Sequence, residues 1–297
     1  MMFIHILTIV AISLQAYSLA LEPYDDGVCG RPKFEPKEKK TATLLRITGG
    51  HEATPHSHPW IVRIVYGNNA CGGTILPTSA VNSSNVIATA AHCLRNVGDL
   101  ENITVLAGAH DISKESENGR QVAKVADIKF SEEDRRYDFA LLILKQPLQF
   151  TDYVKSACLP SNHYLKPRVK CLISGWGAVE GGVFAQTDPF HVPPVKLPER
   201  LMESVAVRHS DAFCEDESVV GNTYQNSIHI CAGDAEGEKG VNNFDSGGPL
   251  ICYDHGVWTL YGVIIRRSYR HESRPSVFMK VQYFTSMIRQ HAKLEPW

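Results

Sequence analysis

The chain of 297 residues has no long basic block, and its 30 Lys+Arg face 32 Asp+Glu for a formal net charge of −2. That balance argues against nucleic acid or an anionic membrane surface as the main partner. Glycine (22) and proline (16) are too few for a collagen-like or low-complexity architecture. No internal repeat at solenoid or propeller period is visible. Beyond the first residues, no stretch approaches the ~20 apolar residues that a membrane span needs. With 43% apolar and 21% charged residues, what remains is an ordinary folded protein. Its length suits one large domain or two small ones, with room for a real core.

The compartment is written at the N-terminus. Phe3–Leu14 is apolar but too short for a comfortable span, and Ser18-Leu19-Ala20 then offers small residues at 18 and 20. This reads as a signal peptide over 1–20, although no Lys or Arg precedes the apolar run; the other reading is a buried N-terminal helix or strand. Secretion agrees with eight cysteines, an even number expected to be oxidised outside the cell. No CxxC spacing exists, which disfavours metal ligation as their role, and no metal or other cofactor is expected. Asn82-Ser83-Ser84 and Asn102-Ile103-Thr104 are sequons for N-glycosylation, a triplet that also arises by chance.

Residues 21–46 carry Pro23, Pro32, Pro36 and the charged run Lys37–Lys40, with nothing core-like before Leu44. They read as an exposed propeptide or tether. From residue 47 onward, short Val- and Ile-rich runs alternate with turn residues: Trp60–Tyr66, Val86–Ala90, Ile103–Ala107, Phe139–Leu144, Ser204–Val207, Trp258–Ile265 and Val277–Val281. Runs of this length predict an all-β sandwich or barrel. Only the end is helical in pattern, with Phe284, Met287, Ile288 and His291 at i, i+3, i+4 and i+7.

Three segments carry chemistry: Thr89-Ala90-Ala91-His92-Cys93, Asp138-Phe139-Ala140-Leu141-Leu142 and Asp245-Ser246-Gly247-Gly248-Pro249-Leu250. Taken singly, each has a bland reading as a structural His, a strand end or a turn. In the same order along the chain stand Arg46-Ile47-Thr48-Gly49-Gly50, Pro59-Trp60, Cys71-Gly72-Gly73, Gly175-Trp176-Gly177 and Cys231-Ala232-Gly233. Together they make residues 47–297 resemble a chymotrypsin/trypsin-like serine protease of peptidase family S1.

The resemblance implies two packed six-stranded antiparallel β-barrels, with the site in the cleft between them and a helix at the C-terminus. It also implies a Ser-His-Asp triad. A serine hydroxyl is a weak nucleophile at neutral pH and needs an oriented base. Ser246 would attack the scissile carbonyl, His92 would take and return the proton, and a buried Asp138 would fix the imidazole. The order His…Asp…Ser is that of this family and not of α/β-hydrolases or subtilisins. Arg46-Ile47 resembles a zymogen cleavage site, so the partners implied are a peptide substrate and an activating trypsin-like protease. Cleavage would free the Ile47 ammonium to pair with Asp245, a buried pair that acts as a switch because half of it is an uncompensated charge. Spacing alone leaves 105 pairings for eight cysteines. The resemblance suggests Cys71–Cys93, Cys171–Cys252, Cys214–Cys231 and Cys29–Cys158, the last tethering the propeptide.

The chain also departs from the family pattern. Phe244 stands where a glycine normally supplies one oxyanion N–H, the other being that of Ser246. If that position needs a glycine-like backbone, Phe is disfavoured by about 1–2 kcal/mol. Loss of one oxyanion donor lowers turnover by about 10²–10³. Asn242 and Arg270 replace a paired cysteine couple, and Ile265-Arg266-Arg267 replaces Ser-Trp-Gly. Of the pocket residues implied, Gly240, Arg267 and Ser276, the first stands where an Asp would select Lys or Arg. Cleavage after a basic residue is therefore not expected. Arg267 either attracts an acidic side chain or belongs to a solvated basic loop. Ala109 sits near the first Glu expected of a calcium loop, which is poorly supported here. Two functions follow: a secreted, zymogen-activated serine endopeptidase, or a protease-like binding protein with little activity.

Overall fold

The computed structural model describes residues 24–36, 50–131, 136–161, 164–177, 197–233, 245–266 and 275–295. Each Val- and Ile-rich run is a strand, because β-branched side chains fit a pleated surface with one buried face. The first barrel is built from β2 (Ile61–Tyr66), β3 (Asn69–Ile75), β4 (Ser83–Thr89), β5 (Ile103–Ala107), β6 (Gln121–Phe130) and β7 (Ala140–Gln149). It closes in the order β2-β3-β4-β7-β6-β5. Val62 and Ile64 on β2 and Val105 on β5 are fully buried inside it.

The second barrel uses β8 (Lys170–Gly175), β9 (Met202–Arg208), β10 (His229–Gly233), β11 (Pro249–Asp254), β12 (Val257–Arg266) and β13 (Ser276–Lys280). These follow the order β9-β10-β13-β12-β11-β8, and β8 returns to β9. A two-residue strand, β1 (His51–Glu52), is added on β9 in antiparallel register. The β11–β12 hairpin turns through His255 and Gly256, both at positive φ (48° and 87°). That conformation matches the twist of the strands it joins.

Two short α-helices follow, α1 (Asp211–Glu215) and α2 (Thr285–Ala292). The buried stripe of the C-terminal helical region is Phe284, Ile288 and Ala292. Phe284 lies in the 3₁₀ turn Val281–Phe284 that leads into α2, and His291 is only half-buried. The stripe joins the core of the first barrel, and the Ser79 N–H donates to Ala292 O at 3.1 Å. The end of the chain thus clamps the barrel that its own strands do not build. Lys293, left-handed at φ 55°, ends the helix by donating its N–H to Arg289 O.

All four disulfides are formed in the expected pairing, Cys29–Cys158, Cys71–Cys93, Cys171–Cys252 and Cys214–Cys231. Of the span 21–46, residues 24–36 are described; Cys29 and Gly30 are buried, while Asp25, Gly27, Arg31, Lys33, Phe34 and Glu35 are exposed. Cys29 is fully buried against Cys158 and Val257. The Gly30 N–H donates to Ser156 O at 2.9 Å, and Gly30 O accepts from the Trp258 N–H at 3.0 Å. Asp26 accepts from the N–H groups of Val28 and Cys29, so this short segment satisfies its backbone while docking on the second barrel. Composition alone marked it as solvated; a single cysteine with a partner 129 residues away pins it.

Candidate active site

His92 sits in a 3₁₀ turn, Ala91–Cys93, that leaves the end of β4. The Cys71–Cys93 bridge ties that turn to β3, and Leu94 donates its N–H to Ala91 O. Asp138 precedes β7 and is fixed by its neighbour: Phe139 is fully buried and stacks on Phe284 at 4.3 Å with 4° between the rings. The Asp138 carboxylate then meets His92 twice, Oδ1 accepting its backbone N–H at 2.7 Å and Oδ2 lying 2.7 Å from Nδ1. With Nδ1–H donated to that carboxylate, the lone pair is on Nε2. Asp138 is not wholly buried as the resemblance implied, since 17% of its side chain is exposed.

Ser246 belongs to a turn held between the barrels. From the first barrel, the Gly72 N–H donates to Ser246 O at 2.8 Å. From the second, Ile264 O accepts the Gly247 N–H at 2.7 Å and the Ile264 N–H donates to Gly248 O at 2.9 Å. Gly247 has φ +82°, and a Cβ there would lie 2.2 Å from Thr89 Oγ1 and 2.4 Å from Gly72 O. No other residue fits that turn. Among the described residues, the Ser246 N–H makes no backbone hydrogen bond.

Ser246 and His92 are neighbours without a side-chain hydrogen bond between them among the described residues. Cys93 Sγ lies 3.8 Å from both His92 Nε2 and Ser246 O. No hydrogen bond joins Ser246 Oγ to Nε2 among the described residues. Such contacts are often long in a site without substrate and tighten as the complex forms.

The Gly-Trp-Gly segment has a physical reason. A Cβ on Gly175 would lie 2.1 Å from Asp245 Oδ1, and one on Gly177 would lie 2.3 Å from Asp245 Cγ. The Gly177 N–H donates to Asp245 Oδ1 at 2.8 Å. Trp176 between them is buried and donates its indole N–H to His110 O at 3.1 Å. Two glycines make the socket for the carboxylate beside the nucleophile.

Arg46, Ile47, Gly240, Phe244 and Arg267 lie outside the described residues. Ser276 is 1% exposed on β13, opposite Ala232 on β10. Asn82 and Asn102 are both exposed. Three possible ligand atoms gather among the described residues, on Asp25, Cys29 and Cys158, but both sulfurs are spent on the disulfide.

Sequence reading passed over Arg63. It lies on β2 opposite Gly72, is half-buried, and has no ion-pair or hydrogen-bond partner among the described residues. Burial pushes its guanidinium pKa down. The available signal was one arginine in the middle of the apolar run Ile61–Tyr66. Ile265, the first residue of Ile265-Arg266-Arg267, is partly buried against Cys214, Cys231 and Val277.

The Trypsin family model matches residues 47–288. The solved structure of GrC, granzyme C, aligns with a TM-score of 0.65 at 30% identity, covering 83% of this chain and 99% of that one. With the two barrels, the hydrogen-bonded His92–Asp138 pair and the Ser246 turn between them, the match places the chain by family: it belongs to the trypsin family of serine proteases.

Proposed function

We propose that the chain is a secreted serine endopeptidase made as a zymogen. Its parts are a signal peptide over 1–20, a propeptide over 21–46 and a catalytic domain over 47–297. The observation that carries this reading is the two-point hydrogen bonding of Asp138 to His92 beside the Ser246 turn. In the first half-reaction, Nε2 takes the Ser246 proton as Oγ adds to the scissile carbonyl. The imidazolium is stabilised by Asp138, and the proton then passes to the leaving amine. Water repeats the sequence on the acyl-enzyme. The Ser246 N–H faces the oxyanion, with the second donor assigned to Phe244. An activating protease cleaves after Arg46, the Ile47 ammonium pairs with Asp245, and Cys29–Cys158 keeps the propeptide attached. Gly240, Arg267 and Ser276 form the pocket, with a preference other than Lys or Arg. Secretion is supported by the disulfides and by the leader sequence; no helix among the described residues is long and apolar enough to cross a membrane.

A second reading, a protease-like binding protein, rests on the lack of a hydrogen bond between Ser246 Oγ and His92 among the described residues, together with Phe244 in the oxyanion loop. Labelling by a fluorophosphonate, before and after cleavage at Arg46, separates the two. Labelling only after cleavage, and none in Ser246→Ala, is the expected result. Absence of label from cleaved, folded protein would leave the binding role.

A further inference from the structure

A buried carboxylate outside the triad holds the segment that follows the activation site. Glu203 on β9 has 1% of its side chain exposed, and both its oxygens are taken by imidazoles. Oε1 lies 2.9 Å from His51 Nε2, and Oε2 lies 2.6 Å from His58 Nε2. The His58 side chain is fully buried. One acid therefore ties both ends of the stretch 51–58. Backbone pairing alone offers little there, because β1 is only two residues long.

The register connects this clamp to the nucleophile. His51 stands opposite Glu203, and Glu203 stands opposite Ser174 on β8. The next residue on β8, Gly175, makes the socket filled by the Asp245 carboxylate. Two strand spacings, about 9.5 Å, separate the β1 anchor from β8. Ile47 lies four residues before His51, a reach of about 13–14 Å when extended. So short a tether makes the position of the chain end depend on that of the β1 anchor. The path is further narrowed at Gly50, where φ is +77° and a Cβ would lie 2.3 Å from Glu203 O.

We infer that Glu203, through His51 and His58, is the positioning residue that delivers the new N-terminus to Asp245 once Arg46 is cleaved. A carboxylate so buried is a costly filler for a sheet interior, and breaking its pairing would leave an uncompensated buried charge. This inference rests on the zymogen reading, and its first readout does not require an active enzyme.

The test uses the full chain cleaved at Arg46, as wild type, Glu203→Gln and His51→Ala. Reaction of the Ile47 amine with cyanate is followed by mass spectrometry. The wild-type amine is expected to be protected. In each variant, losing one charge-assisted hydrogen bond raises reactivity about tenfold or more. Fluorophosphonate labelling falls in parallel and is restored by free Ile-Thr dipeptide, whose ammonium pairs with Asp245 without needing the clamp. His51→Ala alters a partly exposed side chain and keeps the test valid if Glu203→Gln folds poorly, which melting of the uncleaved forms reports. A protected amine in both folded variants overturns the inference, as does lost labelling that the dipeptide fails to restore. A wild-type amine as reactive as a free peptide overturns it together with the zymogen reading. A protected wild-type amine without labelling removes only the enzymatic reading.

Discussion

The two halves of the candidate site are held by different kinds of force. His92 and Asp138 grow from a closed barrel and are fixed by covalent and apolar means, the Cys71–Cys93 bridge and the Phe139–Phe284 stack. The Ser246 turn has no disulfide of its own. It hangs on backbone hydrogen bonds from Gly72 and Ile264 and on a carboxylate seated between two glycines. His92 and Asp138 are therefore set by folding, whereas the Ser246 turn depends on how one charged group, Asp245, is satisfied. On the proposed reading, Ser246 can then be regulated without disturbing His92. Regulation then belongs to the half secured by weaker and more local interactions.

The largest effect expected on the rigid half is from Asp138→Asn. The amide cannot accept from both the His92 N–H and Nδ1–H as a carboxylate does, so the imidazole loses its orientation and tautomer. The trypsin-type template from which the role is taken loses about 10⁴ in turnover. Peptide hydrolysis by the cleaved protein should fall by a similar factor while its melting temperature changes little. A loss below tenfold would show that His92 is held by the turn and not by Asp138.

On the adjustable half, Gly175→Ala places a methyl group 2.1 Å from Asp245 Oδ1. The carboxylate must leave its socket, and the Ser246 N–H moves with the turn. Loss of one oxyanion donor predicts a fall of about 10²–10³ in labelling rate by a fluorophosphonate. The His92–Asp138 pair should be untouched, which the imidazole proton resonances can report. If those resonances shift as well, the two halves are not independent.

Removing Cys71–Cys93 by a double serine substitution reverses the comparison. A bridge of sequence separation 22 is expected to contribute about 2–4 kcal/mol. Its loss should lower the melting temperature by several degrees and slow turnover through the His92 turn. Unfolding monitored by circular dichroism and hydrolysis measured on the same sample would separate the two contributions.

What was legible in the sequence follows the same division. Strands such as β2, β5 and β12 announced themselves as Val- and Ile-rich runs, because burial of one face demands such side chains. The triad positions stood in contiguous motifs. The strand β3 is less visible, since Gly72 admits the Ser246 turn and Gly73 leaves room for Val62, Ile64 and Ile87, and neither has strand propensity. The Glu203 clamp was invisible, because its histidines lie 152 and 145 residues away and each reads as an ordinary surface polar residue. The docking of Cys29 was hidden likewise behind a proline-rich, charged stretch. Contacts between distant residues leave no local pattern; only the disulfide implied by family resemblance pointed to that one.

The smallest effect concerns the docked tether, which should be separable from the site altogether. Arg31 holds the Asp25 carboxyl below its usual range, through a side-chain pair at 2.5 Å, against a smaller opposing effect of burial. The folded pKa is depressed, so this contribution is fully present above the unfolded value of 3.8 and is lost as pH falls through the folded value. Both side chains are about a third or more exposed, at 43% and 32%, so solvent screening keeps the contribution below about 1 kcal/mol. Asp25→Asn should lower the melting temperature at neutral pH by a degree or two at most and leave labelling of Ser246 unchanged. At pH 3 the difference from wild type should shrink. The tether would still be retained in both, because Cys29–Cys158 and the Gly30 backbone pair do not titrate. A variant that lost the tether at neutral pH, seen as a released fragment after cleavage at Arg46 without reductant, would mean that the ion pair and not the bridge secures this segment.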